Sequence, residues 1–401
     1  MKRRSFLYIA LGAVFGAGIL AGCSGGGSSE AGGGTGTTAT GDSIKIGLVA
    51  SLNGDQRPWG VDSERGVRLL VDQINEAGGV NGKKIELLVG DSNSDPQIGK
   101  SATEKLISDG AVVVLGEVAS GITAQMAIAC TEKGIPLVAI GATRDDISDK
   151  GPDIFRVCYR DSFQGPVMAK FAFEELGLKR VALMTDKKIP YSTGLSNSFR
   201  DYYAMLGGEI VDEQFYEGGA STQFNAQLTN LKGKNPDGVF LSGYFTEVGP
   251  IVRQASQVGL TNVKFMGGDG WDSKEIINSG GEAIVGGYFC NHYSDQEDRP
   301  EVKAFLDAFV AKYNERPGTT MGALAYDAAA VAVEAIKAVT GDVSSKSVAG
   351  ALHNLENYKG VSGDITFKGQ GGNPPKRALV VELQADGTQK PVKAYAPTDV
   401  K

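Results

Sequence analysis

The chain is short of the residues on which most enzymes depend. Among 401 residues there are two histidines, four cysteines and two tryptophans. No G-x-S-x-G, H-E-x-x-H or C-x-x-C segment occurs, so nucleophilic hydrolysis, zinc chemistry and dithiol exchange have no signature here. Ile98-Gly99-Lys100-Ser101 resembles the end of a phosphate-binding loop. Ser94 stands where that loop needs a glycine, and Lys100 falls inside a predicted helix. Asp91 and Asp95 suit a metal only weakly, because Asp95-Pro96 is the usual start of a helix, with Asp95 as its cap. No catalytic residue, cofactor or metal is therefore predicted. Beyond Lys2-Arg3-Arg4 there is no basic run, and the formal net charge is −7, which argues against nucleic acid and against electrostatic attachment to anionic lipid.

Long apolar runs are also missing. The stretch from Phe6 to Leu20 is shorter than the roughly 20 residues a membrane-spanning helix needs. It follows Lys2-Arg3-Arg4 and ends in Leu20-Ala21-Gly22-Cys23, a pattern that resembles a bacterial lipoprotein signal with cleavage before Cys23 and lipidation of its thiol. Arg3-Arg4-Ser5-Phe6-Leu7 fits a twin-arginine export signal as well as a plain basic leader. Residues 24–43 are Gly, Ser and Thr for the most part and read as a flexible tether. The expected location is extracytoplasmic, with the membrane reached only through the lipid anchor. Cys130, Cys158 and Cys290 are too few for a disulfide scaffold and are expected as buried thiols.

Glycine is plentiful, at 56 residues, about twice the usual share. The rest of the chain alternates between strand and helix patterns. Residues 45–51, 84–90, 111–116 and 136–141 read as strands. Between the first two, Val67, Leu70, Val71 and Ile74 form a helical stripe that stops at Gly78-Gly79. The pattern restarts after Arg160. Helices are expected at 163–176, 193–206, 222–232 and 247–258, and strands at 180–186, 208–216, 238–243 and 263–268. A helical region over 301–356 and short β segments at 362–368 and 377–384 close the chain. Repeated β-α-β units imply parallel sheets with right-handed crossovers. Residues 112–143 and 238–270 echo one another as strand, glycine-bearing loop, helix, strand and loop.

Such sheets bind ligands beyond the carboxyl ends of their strands. Ser120 stands at a predicted helix start, where backbone N–H groups lack partners. Gly141-Ala142-Thr143 ends another strand, and Asp269 lies between Gly268 and Gly270. A carboxylate facing an N–H-rich pocket suits a zwitterion, although all three positions also suit ordinary caps and turns. Trp59, Tyr191, Tyr244 and Trp271 all follow strands, where aromatic side chains either pack locally or meet a ligand.

The segments Gly78-Gly79-Val80-Asn81-Gly82, Asp95-Pro96, 116–120, Gly141-Ala142-Thr143, Phe155-Arg156, Gln164-Gly165-Pro166, Gly243-Tyr244 and Tyr326-Asp327-Ala328 occur in one order. With that order and spacing, residues 44–396 resemble the type I periplasmic solute-binding proteins of leucine/isoleucine/valine ATP-binding-cassette importers. The resemblance implies an α/β fold of two Rossmann-like lobes joined by three hinge crossings, near 158–162, 289–294 and 366–374. The leader pattern before it is expected to be a lipoprotein signal peptide at 1–22 and a flexible linker at 23–43. Lobe 1 would comprise 44–160 and 292–368, and lobe 2 would comprise 161–291 and 369–401. It implies a monomer that is not an enzyme and that delivers a small, branched-chain or apolar amino acid to the transmembrane subunits of a permease. A sensing subunit, or a binder of a related amide or carboxylate, is the alternative.

By the same resemblance, Ser120 holds the ligand carboxylate. Gly141, Ala142 and Thr143 meet its charged groups, and Asp269 pairs with its ammonium. Tyr191 and Tyr244 line the cleft, while Trp59 and Met321 touch the side chain. Asp269 replaces a longer glutamate of the leucine-type proteins, so the ammonium would shift or be met through water. Arg57, Arg144, Lys187 or Lys188 would permit an acidic or amide side chain if one pointed inward.

Overall fold

The computed structural model describes residues 37–39, 41, 43–219 and 223–400. The leader, Cys23 and the tether before residue 37 lie outside the described residues. Everything described belongs to one compact unit.

The first block runs β1 (Ser43–Ala50), α1 (Arg57–Glu76), β2 (Lys84–Asp91), α2 (Pro96–Ser108), β3 (Val113–Leu115), α3 (Ser120–Lys133), β4 (Leu137–Ala139) and β5 (Ile154–Arg156). Its strands form one sheet in the order β2-β1-β3-β4-β5, with every pair parallel. Helices on both faces of a parallel sheet bury its central strands completely, and β3 and β4 are buried throughout. On α1 the stripe residues Val67, Leu70 and Val71 are buried against this sheet. As expected, Asp95 caps α2 by accepting the N–H groups of Gln97 and Ile98.

The second block repeats the plan with α4 (Asp161–Lys170), β6 (Arg180–Asp186), α5 (Pro190–Met205), β7 (Glu209–Tyr216), α6 (Asn225–Gly233), β8 (Gly238–Leu241), α7 (Phe245–Gln257), β9 (Lys264–Gly267), α8 (Glu275–Gly280) and β10 (Tyr288–Asn291). The parallel core, β7-β6-β8-β9-β10, has the same relative order as the first sheet. The helix expected over 163–176 starts at Asp161, and a wider π-type turn, Phe171–Glu175, carries it on from Lys170.

Three helices follow: α9 (Pro300–Tyr313), α10 (Met321–Ala338) and α11 (Ser345–His353). Helix α10 packs on α1, β3 and β4 and so returns to the first block. A small hairpin, β11 (Tyr358–Gly360) and β12 (Gly363–Ile365), precedes β13 (Ala378–Leu383) and β14 (Gln389–Tyr395). They extend the second sheet, β13 pairing antiparallel with β10 and β14 antiparallel with β13. The chain thus passes between the sheets three times, after β5, after β10 and after β12. The second sheet is mixed rather than wholly parallel, and β14 was not expected. Its sequence, QKPVKAY, contains a proline that a central strand would reject, but β14 is an edge strand. Cys130, Cys158 and Cys290 are free and buried.

Candidate functional site

Residues at the carboxyl ends of β3, β4, β6, β8 and β9 line one small cavity between the blocks. The first block contributes Trp59, Ser120, Gly141 and Thr143, joined by Met321 at the start of α10. The second contributes Tyr191, Tyr244 and Asp269. Eight of the nine residues singled out from the sequence therefore meet around one space. The ninth, Ala142, does not. Its side chain is buried in the core, and its carbonyl accepts from the Arg156 guanidinium at 2.9 Å.

Ser120 is not the helix cap expected of it. Ala119 occupies the cap position, and Ser120 is the first residue of α3. The Glu117 carboxylate accepts the N–H groups of Val118 and Ala119, at 2.7 and 2.9 Å, just ahead of the helix. Ser51 and Ser92 also donate to Glu117. Burial raises the Glu117 pKa, and these four hydrogen bonds oppose the rise. Ser120 lines the cavity, and its hydroxyl accepts from the backbone N–H of Arg144 at 3.3 Å. Gly116, just before Glu117, has φ +117°, and a Cβ there would fall 2.1 Å from the carbonyl oxygen of Val49. Only glycine lets β3 end so close to β1.

Thr143 is fixed from below by Arg156. This buried side chain reaches the carbonyls of Ala142 and Arg144 at 2.9 Å and that of Asp145 at 3.3 Å. Three carbonyls of one loop are thereby gathered on a single guanidinium fork.

Asp269 opens a short 3-10 turn, Asp269–Trp271. Its Oδ1 accepts the Tyr191 hydroxyl at 2.8 Å and the Gln164 amide at 3.0 Å. Its Oδ2 lies 3.2 Å from His292 Nε2. The Gln164 amide nitrogen also lies 2.6 Å from Asp161 and 3.3 Å from the Thr143 hydroxyl. Gln164 thus ties the polar residues of the two blocks together. Asp161 is buried, with Oδ2 unpartnered. Burial first, and then the charge of Asp269, push its pKa up to about 8, while the Gln164 hydrogen bond lowers it. The His292 ring stacks on Tyr159 at 4.2 Å. Arg156, Gln164, Asp161 and His292 were not assigned roles from the sequence. The available signals were a charged residue in an otherwise apolar strand and one of only two histidines.

The other end of the cavity is aromatic. Trp59 lies in the first turn of α1 and is 2% exposed. It crosses to the second block, where it meets Tyr244 edge-on at 5.2 Å and Phe245 at 5.0 Å. Tyr191 and Tyr244 stack at 5.0 Å. A Cβ on Gly270 would stand 2.9 Å from Tyr244 and 3.1 Å from the Tyr191 hydroxyl, so the bare backbone there is what admits both rings. Trp271 does not reach the cavity. It is fully buried beneath the turn and donates to the carbonyl of Leu241.

The four rim cations stay outside. Arg144 pairs with Asp146, and Lys187 and Lys188 both pair with Glu217. Arg57 lines a separate, open cavity at the cleft mouth, together with Asp55 and Glu247. Among the described residues, no cationic side chain lines the central cavity.

Comparison with known proteins agrees with this fold. Residues 43–388 match the family described as periplasmic binding protein. A Leu/Ile/Val-binding protein, BraC3, of Rhizobium johnstonii is 32% identical, with 81% of this chain and 87% of that protein aligned. The crystal structure of a leucine binding protein, LivK, from Thermotoga maritima superposes with a TM-score of 0.83 at 31% identity, covering 89% of this chain and 99% of that one. A branched-chain amino acid transporter substrate binding protein, LivJ, from Streptococcus pneumoniae, solved in complex with isoleucine, gives 0.81 at 33% identity, over 88% and 99%. The chain belongs to the periplasmic binding protein family, in its type I form of two Rossmann-like lobes, and is similar over most of its length to branched-chain amino acid binders of that family.

Proposed function

We propose that the protein is the extracytoplasmic substrate-binding component of an ATP-binding-cassette importer. It takes a neutral, apolar L-amino acid, leucine, isoleucine or valine, into the cavity between its lobes. The observation that carries this reading is the polarity of that one cavity. Ser120 and the N–H groups at the start of α3 suit a carboxylate. Asp269, Thr143 and the Gly141 carbonyl suit an ammonium. Trp59, Tyr244 and Met321 suit an uncharged side chain. Binding energy from both lobes favours their closed arrangement over an open one. The permease then receives ligand from the closed form, and Cys23 carries the lipid that keeps the protein near it.

Asp269 weighs against a ligand with a carboxylate and no ammonium. Such a ligand would leave the Asp269 charge buried without a positive partner. The shorter aspartate is already held by Tyr191, Gln164 and His292, so its position does not depend on the ligand. A thermal-shift panel of L-amino acids, their amides and benzoate tests the reading. Stabilisation that grows with ligand concentration is expected for leucine, isoleucine and valine. A response to benzoate and none to these amino acids would overturn it.

A further inference from the structure

The turn that presents Asp269 to the cavity has a second carboxylate at its far end. Asp272 is fully buried, faces away from the cavity and is not among its lining residues. Its Oδ2 accepts the backbone N–H of Thr320 at 2.7 Å and the Thr320 hydroxyl at 2.6 Å. Its Oδ1 accepts the Gln389 amide at 2.6 Å. Its backbone carbonyl accepts the Trp59 indole N–H at 2.7 Å. Thr320 and Trp59 belong to the first block, whereas Asp272 and Gln389 belong to the second. One residue thus makes three hydrogen bonds across the boundary between the blocks and one within its own.

The partners on the first block are not arbitrary positions. Thr320 is the cap residue of α10, and Met321, the next residue, lines the cavity. Within the first block, Asp62 on α1 already accepts the N–H and hydroxyl of Thr319, at 2.7 and 2.9 Å. The residues that lead into α10 are therefore held twice, once from their own block and once from the other. Helix N-termini favour negative charge, and a charge-assisted hydrogen bond is roughly twice as strong as a neutral one. Trp59, the other partner, is a wall of the same cavity.

We propose that Asp272 is a positioning residue that latches the two lobes in the closed arrangement, so that the turn 269–272 meets ligand at one end and secures closure at the other. The proposal builds on the reading that the lobes close around an amino acid. It adds that part of the closing energy is built into the protein itself. Removing the latch then shifts the ligand-free protein toward an open form and lets bound ligand escape faster, although every residue lining the cavity is unchanged.

The two tryptophans report this directly. Trp59 sits at the boundary, while Trp271 is buried within the second block. The test compares wild type with Asp272→Ala, Asp272→Asn and Thr320→Val by small-angle scattering and acrylamide quenching of tryptophan, without ligand. Thermal melts establish that each variant is folded. The expected result is a larger radius of gyration and stronger quenching in Asp272→Ala, with Asp272→Asn in between because it keeps one acceptor. Stopped-flow release of L-isoleucine should be about tenfold faster in Asp272→Ala, with unchanged association. Asp272→Ala combined with Thr320→Val should add little to the single change. Scattering and quenching identical to wild type in folded Asp272→Ala would overturn the latch. Failure of wild type to bind any amino acid would overturn the ligand reading instead, and the ligand-free comparison would still decide the latch.

Discussion

At the cavity, the strand ends of the first block carry small hydroxyls and bare backbone, whereas those of the second carry a carboxylate and two tyrosines. Yet both blocks are built on the same relative strand order. The shared topology explains why both blocks bring their strand ends to one place. It does not explain the division of chemistry, which lies in a few loop residues. Glu117 accepts the N–H groups of Val118 and Ala119, and Ser120, the next residue, lines the cavity. Gln164, Tyr191 and His292 hold Asp269 in a fixed position. In the proposed reading the first block meets the carboxylate of a zwitterion and, through Thr143 and Gly141, part of its ammonium, and the second block completes the ammonium's contacts.

Breaking the second block's contribution should have the largest effect. Asp269→Ala removes a buried charged acceptor, worth about 1.5–3 kcal/mol, so amino-acid affinity should fall by roughly a hundredfold in calorimetry. Next comes Arg156→Ala, which strips three carbonyls of their donor. It should cost about 3 kcal/mol of stability, read from denaturant unfolding, because buried acceptors are left unmade. Thr143→Ala on the first block removes one neutral hydroxyl and should weaken binding only about tenfold. Equal losses for Thr143→Ala and Asp269→Ala would erase the proposed difference between the blocks. Replacing Lys187, which pairs with Glu217 on the surface, by alanine should change affinity and stability by less than about 0.5 kcal/mol.

A pH series sharpens the comparison from another side. Asp161 is held above its ordinary pKa, near 8, chiefly by burial. A carboxyl raised in the folded state adds stability that is complete below its unfolded pKa and is lost as pH rises through the folded value. Wild type should therefore lose stability relative to Asp161→Asn between about pH 4 and 8, with a slope of at most about 1.4 kcal/mol per pH unit. Parallel stability curves for the two proteins would contradict this assignment.

Much of the architecture was legible because apolar runs and helical stripes alternate so regularly. The stripe Val67, Leu70, Val71 and the Asp95 cap lie where the pattern puts them. Strand β14 was not legible. It is half exposed, carries Pro391 and two lysines, and owes its pairing to β13 rather than to its own pattern. The cavity walls were legible from the family resemblance, residue by residue, except at Ala142, where Arg156 takes the carbonyl. The supporting residues were not, since Gln164, His292 and Asp272 act through partners far away in sequence. Gln164 reaches Asp269 and Asp272 reaches Trp59 only once the chain has folded back on itself. Periodicity carries no information about such pairs.

The most direct test of the account is a calorimetric titration of the purified wild-type protein and of Asp269→Ala with L-isoleucine. The account predicts one site per chain in wild type and an affinity lower by about a hundredfold in the variant. Equal affinity in the two proteins, or no heat of binding from isoleucine, leucine or valine in wild type, would contradict it.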